Sequence, residues 1–347
     1  MLLRIVWWGA LVLAAFALAT MGVLIVVRAV RQRRARRRAE RARVLRAWLV
    51  RWITQGDSAG GPDLDSDDAE ILMGQARRLL HSLRGGEVER IVDLVERCGA
   101  IATERRALAR GDTRARYRAA TNLTPFAAHR ADVRTALQEA LVTDSDGRVR
   151  LAAAQALQEA GTPPAVATVL AALEDRPDVP RKGLQELIRA IAPAQAEAIK
   201  SALDATGAPG RQVLLVDGLG HAGDLTAVPL LVTLVQGSPD LDVRAAAMRA
   251  LAGLGHPGAR PAVATGLADP AWEVRAQAAQ AAARIGLTDL AGSLEGLLDD
   301  PQWWVRFRAA QALAGFGDAG RATLRTAARG PGERARVVRL VLAEAEQ

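Results

Sequence analysis

Residues 269–286 read DPAWEVRAQAAQAAARIG, and residues 300–317 repeat the phrase as DPQWWVRFRAAQALAGFG. The Val-Arg pair inside the phrase also occurs upstream, so that Val243, Val274 and Val305 are spaced by 31 residues. A fixed period of this size is typical of an array of stacked units, each of which packs against its neighbours. The sequence therefore predicts a repeat protein and not a fold around one central core.

Each unit of the array has the pattern of two short helices. In the best-formed unit we predict a first helix over residues 258–267 and a second over residues 272–285. Pro270 favours the start of the second helix, and Gly286 is the expected residue after its last turn. The fold class predicted from these patterns is all-α, an α-solenoid of stacked helix pairs.

The repeated motif, Asp-Pro-x-x-x-Val-Arg-x-x-Ala-Ala-x-Ala-Leu-x-x-x-Gly, resembles the HEAT repeat in the short bacterial form named after phycobilisome lyases. The resemblance is good over residues 110–330 and poor over residues 67–110. It implies that the turn Asp and the Arg after Val are structural and form a hydrogen-bonded ladder between successive units. The matching positions are Asp269 with Arg275, Asp300 with Arg306 and, more closely spaced, Asp242 with Arg244 and Asp146 with Arg150. At residues 178–191 and 209–220 the Arg is displaced or missing, so we expect the ladder to be interrupted there.

Two sets of residues in the last full units are candidates for binding a partner. The second helices leave a polar stripe that packing does not use, which HEAT-like arrays would place on the concave surface; it carries Gln277, Gln280, Arg308 and Gln311. Three tryptophans, Trp272, Trp303 and Trp304, stand just before the Val-Arg pairs. Rigid aromatic side chains at a turn can anchor an interface, and they can equally cover the neighbouring turn.

The N-terminal segment has the pattern of a membrane anchor. Residues 5–27 are apolar and uncharged, and a helix of about 20 such residues can cross a bilayer. An arginine cluster follows, which includes Arg33, Arg34, Arg36, Arg37 and Arg38, and such a cluster favours the cytoplasmic side. We therefore predict a bacterial inner-membrane protein with its N-terminus outside and the solenoid in the cytoplasm. A signal peptide cleaved after Ala19 is the rival interpretation.

These patterns divide the chain into five predicted segments. They are a transmembrane anchor (1–30), a basic juxtamembrane amphipathic helix (31–54), a linker (55–66), the HEAT-like solenoid (67–332) and a capping helix (333–347). In the second segment the apolar residues between Glu40 and Ile53 fall at helical spacing. That apolar face can lie on anionic lipid headgroups or cover the first helices of the array, and the sequence does not decide between the two.

The charge distribution argues against nucleic-acid binding along the array. Residues 1–54 contain 12 Arg and one acidic residue, whereas the rest of the chain has 34 basic and 37 acidic residues. A solenoid that binds nucleic acid should carry its positive charge along the array. The basic excess therefore belongs to the N-terminal segment.

Catalytic motifs are not found. Residues 218–223 spell G-x-G-x-x-G, but no strand precedes them, and a dinucleotide site requires one. The single Cys98 cannot form an intramolecular disulfide and is expected to be a small buried residue. We therefore predict no enzyme activity, no cofactor, no metal and no small-molecule substrate.

The function that these observations favour is a membrane-anchored cytoplasmic scaffold or adaptor that mediates protein–protein interaction. The alternatives are a lyase-like or chaperone-like accessory factor for a modified protein, which the resemblance alone suggests, and a nucleic-acid-binding solenoid, which the charge disfavours. Neither the partner nor the oligomeric state follows from the sequence.

Overall fold

The computed structural model describes the backbone of residues 2–55, 66–80, 82–83 and 85–345. Side chains are described from Thr20 onward, except for a few positions within helices, Arg34 among them. All but the two end residues of the predicted linker 55–66 lie outside the described part of the chain. The chain divides into two compact units, residues 1–136 and 137–347.

The described residues of the first unit form five helices and the start of a sixth. Their bounds are α1 Leu2–Gln55, α2 Ser66–Leu80, α3 Gly86–Arg97, α4 Ala100–Arg110, α5 Thr113–Ala127 and α6 Ala131–Thr143. The division between the units falls within α6. The second half of α1 packs against α2 and α3 and is therefore part of the same fold.

The described residues of the second unit are helical as well and form stacked pairs. The helix bounds are α7 Gly147–Glu159, α8 Val166–Leu173, α9 Arg181–Asp204, α10 Pro209–Ala222, α11 Val228–Gly237, α12 Leu241–Leu254, α13 Arg260–Leu267, α14 Trp272–Ile285, α15 Ala291–Gly296, α16 Trp303–Gly315, α17 Gly317–Ala328 and α18 Gly332–Ala345. Helices α9, α10, α12, α14, α16 and α18 pack side by side in that order. The shorter α11, α13, α15 and α17 each pack against the helix that follows them. The predicted all-α solenoid is confirmed.

Small residues let the stacked helices approach closely. Ala247, Ala278 and Ala309 are fully buried between neighbours. A Cβ atom at Gly220 on α10 would lie 3.0 Å from the Cα atom of Ala250 on α12, so this contact has no room for a larger side chain. Gly286 ends α14 with a φ of 79°, a left-handed conformation that glycine adopts at no steric cost.

The amphipathic part of α1 covers the first helices of the fold. Leu45, Trp48 and Leu49 are at most 3% exposed. Asp68, which is 1% exposed, holds the guanidinium group of Arg41 at 2.6 and 2.9 Å. Of the two interpretations of residues 40–53, the structure therefore shows packing against protein.

The membrane prediction is corrected by the structure. Among the helices of the described residues, none is long and apolar enough to cross a bilayer. On this finding the predicted localisation, an inner-membrane protein with its N-terminus outside and its solenoid in the cytoplasm, is wrong. The predicted transmembrane helix and lipid partner are likewise not supported.

Candidate partner-binding surface

A ladder of arginine–aspartate pairs connects successive units at the C-terminal end of the array. Arg244 donates from Nε and Nη2 to both carboxylate oxygens of Asp269, at 2.7 and 3.0 Å. Arg275 contacts Asp300 in the same way, at 2.7 and 3.1 Å. Both carboxylates are less than 9% exposed. Two parallel bonds between a planar guanidinium and a carboxylate fix the orientation of one unit against the next.

Each ladder arginine also binds the turn that precedes its own helix. The Nη1 group of Arg275 donates to the backbone oxygens of Asp269 and Pro270, at 2.8 and 3.0 Å. Arg306 makes the same contacts with Asp300 and Pro301, at 2.7 and 3.1 Å. The carboxylate partners of Arg244 and Arg275 thus lie in the following unit, whereas backbone oxygens of the turn before its own helix bind the Nη1 group of each arginine.

The closely spaced pairs of the motif have other roles. Asp242 forms no rung with Arg244, since Arg244 binds Asp269, and the start of α12 is capped by Asp240, which accepts from two backbone N–H groups. Asp146 likewise caps α7 and binds Arg148. The sequence spacing alone does not show which aspartate faces the next unit.

Other polar pairs connect the units where the motif arginine is displaced. Arg189 on α9 donates to Asp217 on α10 through two bonds, at 2.5 and 2.8 Å. Asp178 accepts a bond from the backbone N–H of Gly147 at 2.5 Å and also binds Arg176. The Arg176 hydrogen bond, followed by the Gly147 N–H, lowers the pKa of Asp178 to about 2.

This shift predicts an acid-sensitive contact between units. The pKa of Asp178 is lower in the folded protein than its ordinary value of 3.8, so the contact stabilises the fold fully above about pH 4 and loses its effect as the pH falls towards 2. We expect Asp178→Asn to flatten the decline of the melting temperature between pH 4 and pH 2. Parallel melting curves of the variant and the parent protein over that range would contradict this role.

The aromatic side chains at the start of α16 form an exposed cluster. The rings of Trp303 and Phe307 are stacked, with centroids 4.9 Å apart and an angle of 12° between their planes. Trp304 meets Trp303 edge to face at 4.7 Å. Trp304 is 52% exposed and Trp303 36% exposed. We call Trp303, Trp304 and Phe307 the aromatic cluster.

The polar stripe lies beside this cluster on the same helix. Arg308 follows Trp304 by one helical turn, is half-buried, and donates to the side chain of Gln311 at 3.0 Å. Gln277 and Gln280 occupy the corresponding positions on α14 and are also half-buried. The structure thus brings Trp304, Arg308 and Gln311 together on one face of α16.

One apolar residue of this region was not among the predicted site residues. Leu241, Trp272 and Trp303 are the first residues of α12, α14 and α16 and share the 31-residue spacing. Leu241 is 42% exposed, and Trp272 is half-buried. The three side chains form a row of partly exposed apolar groups across three units. The 31-residue period relates Leu241 to the two tryptophans, but only aromatic residues were considered as interface anchors.

The remaining predicted site residues belong to the first unit. Arg33, Arg36, Arg37 and Arg38 are exposed on α1, and Arg38 forms an exposed ion pair with Glu70 at 2.7 Å. Cys98 is half-buried, and burial, followed by the charge of Asp68, raises the pKa of its thiol. A raised pKa disfavours the reactive thiolate form.

The repeat geometry agrees with the comparison against known families. A profile described as HEAT repeats matches residues 104–189, 196–271 and 261–345. The chain belongs to the HEAT-repeat family. No curated protein sequence matches it.

Several solved structures are similar to this chain at low sequence identity. A mutant of Kap121p is 12% identical with a TM-score of 0.50, and the match covers 82% of this chain and 38% of that chain. Kap95p, in a structure with RanGDP, is 14% identical with a TM-score of 0.48 and coverage of 86% and 46%. The complex of CpcE and CpcF, the phycocyanin lyase of Nostoc sp. PCC7120, is 23% identical with a TM-score of 0.33 and coverage of 70% and 94%. The chain therefore spans less than half of the Kap121p and Kap95p chains, and similarity at this level concerns the fold alone.

Proposed function

We propose that this HEAT-repeat protein is a non-enzymatic scaffold or adaptor that binds a protein partner at the C-terminal end of its array. The fold supports the general part of this proposal, because stacked helix pairs present an extended surface suited to protein–protein interaction. The lyase-like or chaperone-like alternative stays a prediction.

The observation that carries the proposal is the exposure of the aromatic cluster. Trp304 leaves about half of its surface in solvent although the neighbouring Val305 is fully buried. The whole chain is only 3% aromatic, and three aromatic side chains are in contact at this one helix start. Trp and Arg are enriched among the few residues that dominate the binding energy of protein interfaces.

A site-specific photocrosslinker tests the proposal. We expect p-benzoylphenylalanine in place of Trp304, in the full-length protein in its native cells, to form a discrete adduct with one other protein. The same group in place of Tyr117, which is 49% exposed on α5, is the matched control and should not form that adduct. The same adducts from both positions, or none from position 304, would contradict the proposal.

A further inference from the structure

Charge is unevenly distributed along residues 137–347, the second of the two compact units. Residues 137–300 contain 13 basic and 20 acidic residues, whereas residues 301–345 contain eight arginines and three acidic residues. The aromatic cluster lies in this second, positively charged stretch. The net charge of the stretch around the cluster is therefore positive, whereas the net charge of residues 137–300 is negative.

Part of this positive charge is available to a partner. Arg321, Arg325 and Arg329 are exposed, and their spacing of four residues places them on one side of α17 and its end. No carboxylate contact of these three is recorded within the described part of the chain. By contrast, Arg334 is bound to Asp299 at 2.6 Å. Helices α16, α17 and α18 pack together, so the helix that carries these arginines is a direct neighbour of the helix that carries the aromatic cluster.

We infer that the aromatic cluster receives an acidic segment of a partner protein, in which apolar side chains contact Trp303 and Trp304 and flanking carboxylates face the arginines of α16 and α17. The inference rests on the proposed function and adds the chemistry of the partner. Charge complementarity directs a partner to its site and suppresses wrong partners. A segment of this kind is attracted by residues 301–345 and repelled by the more acidic residues 137–300.

The charge pattern favours a peptide segment over a nucleic acid. The positions on α12 and α14 that correspond to Trp304 are Asp242 and Glu273. A continuous polyanion that followed the array from Trp304 would meet these carboxylates. A short acidic segment that ends at the aromatic cluster would not.

A displayed random peptide library, selected against the full-length protein, tests the inference. We expect enriched peptides that are rich in Asp and Glu, contain an aromatic or aliphatic residue, and are lost when Trp304→Ala is the target. A synthetic enriched peptide should bind at least tenfold more weakly to the variant that combines Arg308→Gln, Arg325→Gln and Arg329→Gln. The variant that combines Arg148→Gln, Arg181→Gln and Lys182→Gln, at three exposed positions of α7 and α9, removes the same number of charges and should bind as the parent does.

The contrary outcomes are distinct. Enrichment of basic or uncharged peptides that still require Trp304 would overturn the acidic chemistry and leave the proposed function standing. Absence of enrichment would overturn the inference, and the crosslinking experiment would then decide on the proposed function alone. Displacement of the peptide by a 15-nucleotide single-stranded DNA that requires Trp304 would overturn it in favour of nucleic acid. Concentration-dependent self-association that occludes Trp304 would overturn it in favour of a second copy of the chain.

Discussion

Asp300→Asn is expected to lower the free energy of unfolding by about 3 kcal/mol. The Asp300 side chain is 4% exposed and accepts two bonds from Arg275, whose side chain is 14% exposed. It also accepts the backbone N–H of Gln302 at 2.8 Å at the start of α16. The amide has the same shape, but it removes the charge and leaves the Arg275 guanidinium without its carboxylate in a nearly buried position.

Asp289→Asn is the matched control for this prediction. Asp289 pairs with Arg260 at 2.5 Å, but the two side chains are 49% and 52% exposed. Because solvent screens such a pair, we expect the loss to stay within about 1 kcal/mol. Urea unfolding of both variants, followed by circular dichroism, makes the comparison. Equal losses for the two substitutions would show that the ladder is no stronger than a surface ion pair.

Leu49→Ala is expected to destabilise the first unit by about 2–5 kcal/mol. Leu49 is fully buried where α1 packs on α2 and α3, and its truncation would leave a cavity at this contact. The adjacent Val50 is 48% exposed, so Val50→Ala should change the stability by no more than about 0.5 kcal/mol. The fluorescence of Trp48 and Trp52, which are both at most 9% exposed, reports the transition.

A similar stability of the two variants would contradict the docking of α1. The amphipathic residues 40–53 would then not be part of the fold of the first unit. The packing predicts that Leu49→Ala unfolds with a midpoint clearly below that of Val50→Ala.

The repeat period was sufficient to predict the architecture of the last units. The second helix predicted at residues 272–285 coincides with α14, and Gly286 has the left-handed conformation expected after its last turn. The first helix, predicted from Gly258, begins instead with a short 3₁₀ turn and becomes α13 at Arg260. Helix-end signals act within a few residues along the chain, and the 31-residue period is a property of the sequence itself, so both can be recognised without the tertiary structure.

The N-terminal segment shows what such patterns do not decide. Burial of an apolar helix face is favourable both at a membrane surface and against neighbouring helices, so the spacing of Leu45, Trp48 and Leu49 is the same in both cases. Their burial depends on α2 and α3, which the repeat resemblance covers poorly. The bidentate contact between Arg41 and Asp68 joins residues 27 positions apart and leaves no periodic signal.

The candidate surface was predicted only in part for a related reason. Sequence could place Trp304, Arg308 and Gln311 on one helix stripe, because helical periodicity determines which residues share a face. It could not determine how much of each ring remains exposed, since Trp303 and Phe307 cover one another by stacking. That contact depends on side-chain packing at one helix start.

The central claim is that Trp304 binds a partner and does not stabilise the core. The stability of Trp304→Ala tests this claim most directly. The matched comparison is Trp48→Ala, because Trp48 is 3% exposed whereas Trp304 is 52% exposed. We expect Trp48→Ala to lose about 3–5 kcal/mol, as buried aromatic truncations do, and Trp304→Ala to lose less than about 1 kcal/mol. Binding of the crosslinked partner should meanwhile weaken by about 2 kcal/mol or more in Trp304→Ala alone. A loss of stability in Trp304→Ala as large as that in Trp48→Ala would show that Trp304 is a packing residue and would contradict the account.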